Sequence, residues 1–331
     1  MNIPISTPKE SDDYHLLVSK SVLLTGNDPE AKRAEIKKYF NDTFTLYEKL
    51  FDCLASDESF FTKAIPLRHP LIFYYGHTAV FFINKLHVAK LIPERMDAEL
   101  ESMVAIGVDE MSWDDLDESN YSWPTPAEVK NYRNKVRALV NDFIDNAELT
   151  LPIKWQDPMW IVLMGIEHER IHLETSSVLI RQLPLELVKP NPLFALCDMQ
   201  DTPAPQNTLV PIPARTVRIG KDSDADLYGW DNEYGRQITE VKEFRAGKYL
   251  VSNREFLDFV EDEGYHTKKY WTEEGWQWRQ YAQVEMPEFW FKQGDTYGYR
   301  ALTQAIKMPW SWPVDVNYLE AKAFCNWMAR Q

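Results

Sequence analysis

The stretch Glu167-His168-Glu169-Arg170-Ile171-His172-Leu173-Glu174 decides how the first half of this 331-residue chain is read. His168 and His172 are spaced i and i+4, which on an α-helix places them on one face, one turn apart. Met164, Ile171, Thr175 and Val178 lie on or beside that face, so it is expected to point into a helical bundle. Two buried imidazoles one turn apart need partners, and a single metal ion satisfies both. The plainer alternative is a pair of histidines hydrogen-bonded to carboxylates. Two neighbouring carboxylates are badly placed to complete a metal site. Glu174 is two residues past His172, about 200° around the helix at ~100° per residue, and Glu169 is about 100° from His168.

The helix carrying this stretch opens at Asp157-Pro158. Three other starts share the punctuation: Asp28-Pro29, His69-Pro70 and Thr125-Pro126. A residue able to cap, then Pro at the first helical position, opens a helix at no cost, because that N–H has no intrahelical partner. His69 is the weakest cap, and Thr125-Pro126-Ala127-Glu128 fits a capping box. Helices are expected over residues 29–54, 70–91, 126–147 and 158–182, each with apolar residues at three- to four-residue spacing, such as Ile36, Phe40, Phe44, Tyr47 and Phe51. Long striped helices argue for a four-helix bundle. The 91–125 connection carries Trp113, Tyr121 and Trp123, either as a lid or as packing under the loop.

The second helix supplies a third imidazole. Phe73, His77, Val80, Phe81 and Asn84 share an apolar stripe, where a histidine is costly unless paired. His69 reads as a helix-start residue, His87 lies roughly 80° off the His77 face, and His15 and His266 fall outside the bundle core. His77, His168 and His172 are therefore expected to form a three-histidine facial site. Such a site suits Zn(II), Fe(II) or Cu(II) and keeps positions open for water, dioxygen or substrate. Glu167, Glu174 and Asn84 are the candidates to hold the far ring nitrogens. His168-Glu169-x-x-His172 also fits the HExxH pattern of zinc metalloproteases, in which the Glu is the general base. That reading lacks its further ligand: after Leu183 the chain runs into Pro-rich sequence, with no HxxGxxH extension.

Texture changes after residue 183. Pro184, Pro190, Pro192, Pro203, Pro205, Pro211 and Pro213 mark 184–214 as an extended linker. From 215 onward, short strand-like runs such as Thr216-Val217-Arg218-Ile219-Gly220 alternate with turns, two shorter helices are expected near 252–262 and 317–330, and eight of the twelve tryptophans lie between Trp230 and Trp327. The expected domains are 1–183, a linker at 184–214, and 215–331. Thirty-six Lys and Arg against 51 Asp and Glu give a net charge of −15, which argues against a nucleic-acid groove or an anionic membrane surface. Cys53, Cys197 and Cys325 form neither a disulfide framework nor a CxxC site and suit a reducing compartment. Met1-Asn2-Ile3-Pro4 shows no signal-peptide pattern, and the longest apolar stretch, Leu71 to Ile83, is too short for a bilayer span. A cytoplasmic location is expected.

At these residues the sequence resembles a known family. The first domain resembles the DinB-like four-helix metal-binding bundle. The second resembles the formylglycine-generating-enzyme fold, a C-type-lectin-like α+β domain. The fold class expected is thus α plus α/β, multidomain. The combination is similar to the non-haem iron sulfoxide synthases of thiohistidine biosynthesis, and within them to the ovothiol type, the 5-histidylcysteine sulfoxide synthases. The likeness is carried by Leu23-Leu24-Thr25-Gly26-Asn27-Asp28-Pro29, by Arg68-His69-Pro70-Leu71-Ile72-Phe73-Tyr74-Tyr75-Gly76-His77-Thr78, by Gly107-Val108-Asp109-Glu110-Met111-Ser112-Trp113, by His168, His172 and Glu174 as HxxxHxE, and by Gly229-Trp230-Asp231-Asn232-Glu233.

The resemblance implies Fe(II) on His77, His168 and His172, and a reaction that joins cysteine sulfur to the histidine imidazole with dioxygen, giving a sulfoxide. It also implies that the second domain continues past Gln331, where the catalytic tyrosine and several substrate contacts are expected, so the chain reads as a partial form without the methyltransferase domain that ovothiol enzymes often carry. Tyr121, Trp123 and Arg133 are the substrate-contact candidates. Three alternatives stand beside this reading: an ergothioneine-pathway synthase acting on N-trimethylhistidine, a non-catalytic iron-binding fragment, and an HExxH zinc hydrolase.

Overall fold

The computed structural model describes residues 13–105, 121–198 and 202–330. Met1–Pro4 and the Gly107–Trp113 motif, Trp113 included, lie outside the described residues. In chain order the first helices are α1 (Pro29–Phe51), α2 (Glu58–Phe61), α3 (Leu71–Val88), α4 (Ala98–Met103), α5 (Pro126–Asn146) and α6 (Pro158–Gln182). Two of the four expected caps form. The Asp28 carboxylate accepts from the Glu30 and Ala31 amides, and Thr125 with Glu128 closes the capping box. The other two do not. Pro70 takes the cap position of α3, leaving His69 buried and stacked on Phe73 at 4.4 Å. The Asp157 carboxylate turns back to accept from the Lys154 amide at 2.7 Å rather than capping α6.

Helices α1, α3, α5 and α6 pack as a bundle around Phe40, Phe44, Phe73, Phe82, Val136 and Ile166, all essentially without exposure. Burying each of the larger side chains contributes on the order of 1.5–3 kcal/mol. α3 and α6 approach closely at one point. A Cβ on Gly165 would lie 2.2 Å from the Phe82 ring, so only glycine lets that ring enter the α6 surface. Among the described residues, no helix is long and apolar enough to cross a membrane.

The chain divides into two compact units, at boundaries that differ from the expected 183/184 and 214/215. The first comprises the described parts of Met1–Ala195 together with Gly220–Arg236; the second comprises those of Leu196–Ile219 and Gln237–Gln331. The start of the Pro-rich segment is not a free linker. Val188 pairs with Leu54, the Ala55 amide donates to the Leu187 carbonyl, and Leu193 is buried with Leu16 and Leu46. Residues 220–236 join the bundle through a bridge between Leu23 and Leu227 and a 2.7 Å bond from the Leu24 amide to the Asp226 carbonyl.

The second unit holds short strands and helices. β1 (Leu209–Ile212), β2 (Arg215–Ile219), β3 (Gln237–Val241) and β4 (Phe244–Gly247) form two antiparallel pairs, β1 with β4 and β2 with β3. β1 occupies sequence that the proline content marks as linker. α7 (Asn253–Glu261) follows, capped by a box between Ser252 and Glu255, then α8 (Glu273–Ala282), β5 (Trp290–Gln293), β6 (Thr296–Arg300), β7 (Ala305–Lys307) and α9 (Tyr318–Met328). β5, β6 and β7 form one antiparallel sheet in that order. Aromatic rings supply much of the core: Phe256, Phe259, Tyr265, Tyr270, Trp271 and Phe324 in one cluster, Trp290 and Tyr299 in another. α8 had no counterpart in the sequence reading, because Gly275 and two tryptophans mask its periodicity.

Candidate metal centre

Three imidazoles from two helices converge. His77 of α3 and His168 and His172 of α6 each offer one ring nitrogen, and these atoms all lie within 4.8 Å of one another. Ring centroids are 4.9 Å apart for His77 and His172, 5.1 Å for His77 and His168, and 4.5 Å for His168 and His172. The rings form one wall of a cleft of about 1080 Å³, also lined by Arg68, Asn84, Lys85, Trp230, Asp231 and Asn232.

α3 backs the trio with aromatic rings. Phe81 stacks on His168 at 3.7 Å and 9°, Phe73 lies against His77 at 5.1 Å and 16°, and Tyr74 lies 5.9 Å from His172. These rings remove water from the imidazoles, and burial lowers all three pKa values. His77 falls below its usual value despite its bond to the Val104 carbonyl. His168 falls well below, with His172, His77 and Lys85 adding to the effect of burial, and His172 drops to about 3, through burial, then His77, then Arg68. All three are therefore neutral near pH 7, the form that ligates metals.

The outer nitrogens are held unequally. His77 Nδ1 lies 2.7 Å from the Val104 carbonyl. A carbonyl only accepts, so Nδ1 carries the proton and the Nε2 lone pair is left free. Thr175 Oγ1 reaches His172 Nδ1 at 3.5 Å. His168 Nδ1 is buried with no hydrogen-bond partner among the described residues. Three neutral donors within one coordination sphere's reach, one with an orphaned buried nitrogen, are the donor set a divalent transition ion takes.

Other expected residues are placed differently. Glu167 accepts from the Tyr39 hydroxyl at 2.8 Å instead of from an imidazole, and Glu174 is exposed; both follow from the 100° step between successive helix positions. Asn84 does line the cleft, with no hydrogen bond to a ligand ring among those observed. Tyr121 and Trp123 stack on each other at 4.5 Å and pack against His69, away from the cleft lining. The His168/His172 face is not the packed interior: Ile171 and Val178 are 46% and 48% exposed and form cleft wall.

Arg133, expected as a substrate contact, does not line the cleft. It is fully buried and clasps four helices from behind the histidines. Its guanidinium donates to the Tyr75 carbonyl (2.9 Å) and the Thr78 hydroxyl (2.8 Å) of α3, to Glu169 Oε1 of α6 (2.7 Å) and to Glu48 Oε1 of α1 (3.1 Å). Burial works against its charge, but Glu169 and Glu48 outweigh that and raise its pKa. Burial raises the Glu169 pKa, with Arg133 and Thr78 acting the other way. Glu169, the general base of an HExxH enzyme, thus points into this clasp and not into the cleft.

What the sequence reading missed is the Val104 carbonyl, which has no side-chain signature, and the cleft wall at Trp230–Asn232. The second was visible as the Gly229-Trp230-Asp231-Asn232-Glu233 turn, though not as part of the site.

Comparison with known proteins agrees with this architecture. Residues 39–176 match the DinB superfamily, and residues 195–331 match the sulfatase-modifying factor enzyme 1-like domain. The chain joins a DinB-like helical domain to a sulfatase-modifying-factor-type domain. The DinB-like match holds all three histidines. The chain is similar to hercynine oxygenase of Mycolicibacterium smegmatis, 30% identical over 205 residues, covering 61% of this chain and 45% of that protein. Over 110 residues it is 36% identical to hercynine oxygenase of Mycobacterium tuberculosis, covering 33% of this chain and 25% of that protein. It is also 25% identical to ergothioneine biosynthesis protein 1 of Neurospora crassa over 229 residues, 62% of this chain and 25% of that protein. The chain spans less than half the length of these curated relatives.

Proposed function

We propose that His77, His168 and His172 hold ferrous iron and that the protein is a dioxygen-dependent sulfoxide synthase joining a thiol sulfur to the imidazole of a histidine-type substrate. The convergence of three neutral imidazoles on an open cleft carries this reading. Bound there, iron would supply the redox chemistry that couples dioxygen to thiol oxidation. The protein's own groups do the rest. The Val104 carbonyl fixes the His77 tautomer. Phe81, Phe73 and Tyr74 keep water from the rings. Arg68 and Lys85 offer charge to substrate carboxylates, and Asp231 offers charge to an ammonium, as zwitterionic amino acids require.

Two acceptors fit. The motifs quoted from the sequence favour free histidine with cysteine, the ovothiol type. The similarity to hercynine oxygenases favours hercynine, N-trimethylhistidine. The Trp230 indole on the cleft wall supports the second, since an indole face attracts a quaternary ammonium. Anaerobic loading with iron, cysteine and each acceptor in turn, then air and mass spectrometry, separates them. A sulfoxide adduct with histidine alone selects the first reading, and one dependent on trimethylation the second. Iron bound without product in either mixture removes the catalytic half of the proposal. Peptide cleavage with zinc would replace it with a hydrolase.

A further inference from the structure

A chain of oxidisable rings leads away from the candidate metal centre. Trp230 lines the same cleft as the three histidines. Its ring is 5.4 Å from that of Tyr228, which is 4.9 Å from Trp160, which is 5.7 Å from Trp155. Trp155 in turn touches Tyr234 at 4.8 Å. Tyr228 is half-buried, Trp160 is 6% exposed and Trp155 is 48% exposed, so the series runs from the cleft through one buried ring to solvent. Every member is an indole or a phenol. Packing alone would be served by leucine or phenylalanine, whereas indole and phenol rings give up an electron far more readily than benzene rings. The aromatic path on the other side of the site, from His77 through Phe73 to Trp123, is interrupted by such a benzene ring.

We propose that Trp230, Tyr228, Trp160 and Trp155 form an electron relay that carries stray oxidising equivalents from the cleft to the surface and so spares the three imidazoles. The inference rests on the reading of the cleft as a dioxygen-using site. When dioxygen is activated without a thiol substrate in place, an oxidising equivalent is left beside Trp230. The dioxygen-derived oxidant in the cleft is reduced by one electron from Trp230 and one proton from water, and Trp230 is refilled in turn from Tyr228, Trp160 and Trp155. Net, Trp155 loses one electron and its indole N–H proton passes to water. A soluble thiol returns one hydrogen atom to Trp155, and two of the resulting thiyl radicals combine as a disulfide. The balance is one thiol hydrogen atom consumed per equivalent quenched.

Two measurements test the relay, and the first needs no metal. A photo-oxidant attached to Asn84→Cys in the cleft, in a Cys197→Ser, Cys325→Ser background, injects the oxidising equivalent by flash-quench. Indole and phenoxyl radicals are followed by transient absorption, and the stable oxidation products are mapped by peptide mass spectrometry. The expected result is oxidation at Trp155 and Tyr234. It is lost in Trp160→Phe and in Tyr228→Phe, which keep a ring in place, and damage then gathers at Trp230 and the histidines. An oxidation map unchanged by either substitution, or one confined to the cleft in the parent, overturns the relay. The second measurement repeats the map after iron and air, with iron binding titrated separately. Failure of iron to bind there counts against the function proposed above, while the flash experiment still decides the relay.

Discussion

The front and back of the α3/α6 pair use adjacent residues for opposite ends. His77 and His168 face the cleft; their chain neighbours Thr78 and Glu169 face the Arg133 clasp. At the back, the Arg133 guanidinium has carboxylate, hydroxyl and carbonyl partners within 3.1 Å. At the front, one imidazole has a short bond, one has a long contact, and His168 Nδ1 has no partner among the described residues. The clasp gives each nitrogen of the guanidinium a protein partner and leaves Glu169 Oε2 without one among the described residues, whereas the front leaves unpaired a ring nitrogen of a histidine that faces the cleft.

The largest effect should come from breaking the back. Arg133→Ala or Glu169→Ala strands a buried charge and is expected to cost about 3–5 kcal/mol, read by denaturant unfolding. Arg133→Met with Glu169→Leu should recover much of that loss, because the stranded charge is gone. Breaking the front should spare the fold and abolish the ion. His77→Ala, His168→Ala or His172→Ala is expected to weaken ferrous binding by more than about 100-fold in calorimetric titration, beyond the range for outer hydrogen-bond partners. If all three variants bind iron as the parent does, the front is not a metal centre.

Between the two faces, Gly165→Ala drives a methyl into Phe82 and should cost about 1–3 kcal/mol. The faces should also part on pH. Burial keeps the front imidazoles neutral when folded, His172 down to about 3, whereas the unfolded chain protonates them below about 6.5. The unfolded state then binds more protons, so metal-free stability falls as pH drops from about 6.5 toward about 3. His172→Gln should flatten that decline, measured as unfolding midpoint against pH. The smallest effect is Thr175→Val, expected to weaken metal binding by no more than about 10-fold given the 3.5 Å contact.

The bundle was legible because proline at the first helical position marks α1, α5 and α6, with side-chain caps formed on α1 and α5, and because the apolar stripes are long. The pairing of His168 with His172 follows from helical spacing, and a polar ring in the stripe of α3 pointed to His77. Other features were not legible, for identifiable reasons. A helical wheel cannot distinguish a packed core from a cleft wall, since both are apolar, so Ile171 and Val178 were read as interior. Arg133 looked available for substrate because its partners Glu48, Tyr75, Thr78 and Glu169 are dispersed across three other helices. The proline-rich 184–195 stretch read as linker because its bridge to Leu54 depends on residues far upstream.

The 220–236 connection between β2 and β3 has a bearing on how the cleft is encoded. It is encoded after β2, within the C-terminal half, yet it packs with the bundle and furnishes Trp230, Asp231 and Asn232 to the cleft. An exchange of everything downstream of the helices would remove Trp230, Asp231 and Asn232 from the cleft wall and the Tyr228 ring from Trp160. The cleft is thus written in two separated stretches of the chain, the helices and the 220–236 segment, and both must be kept for its lining to stay whole.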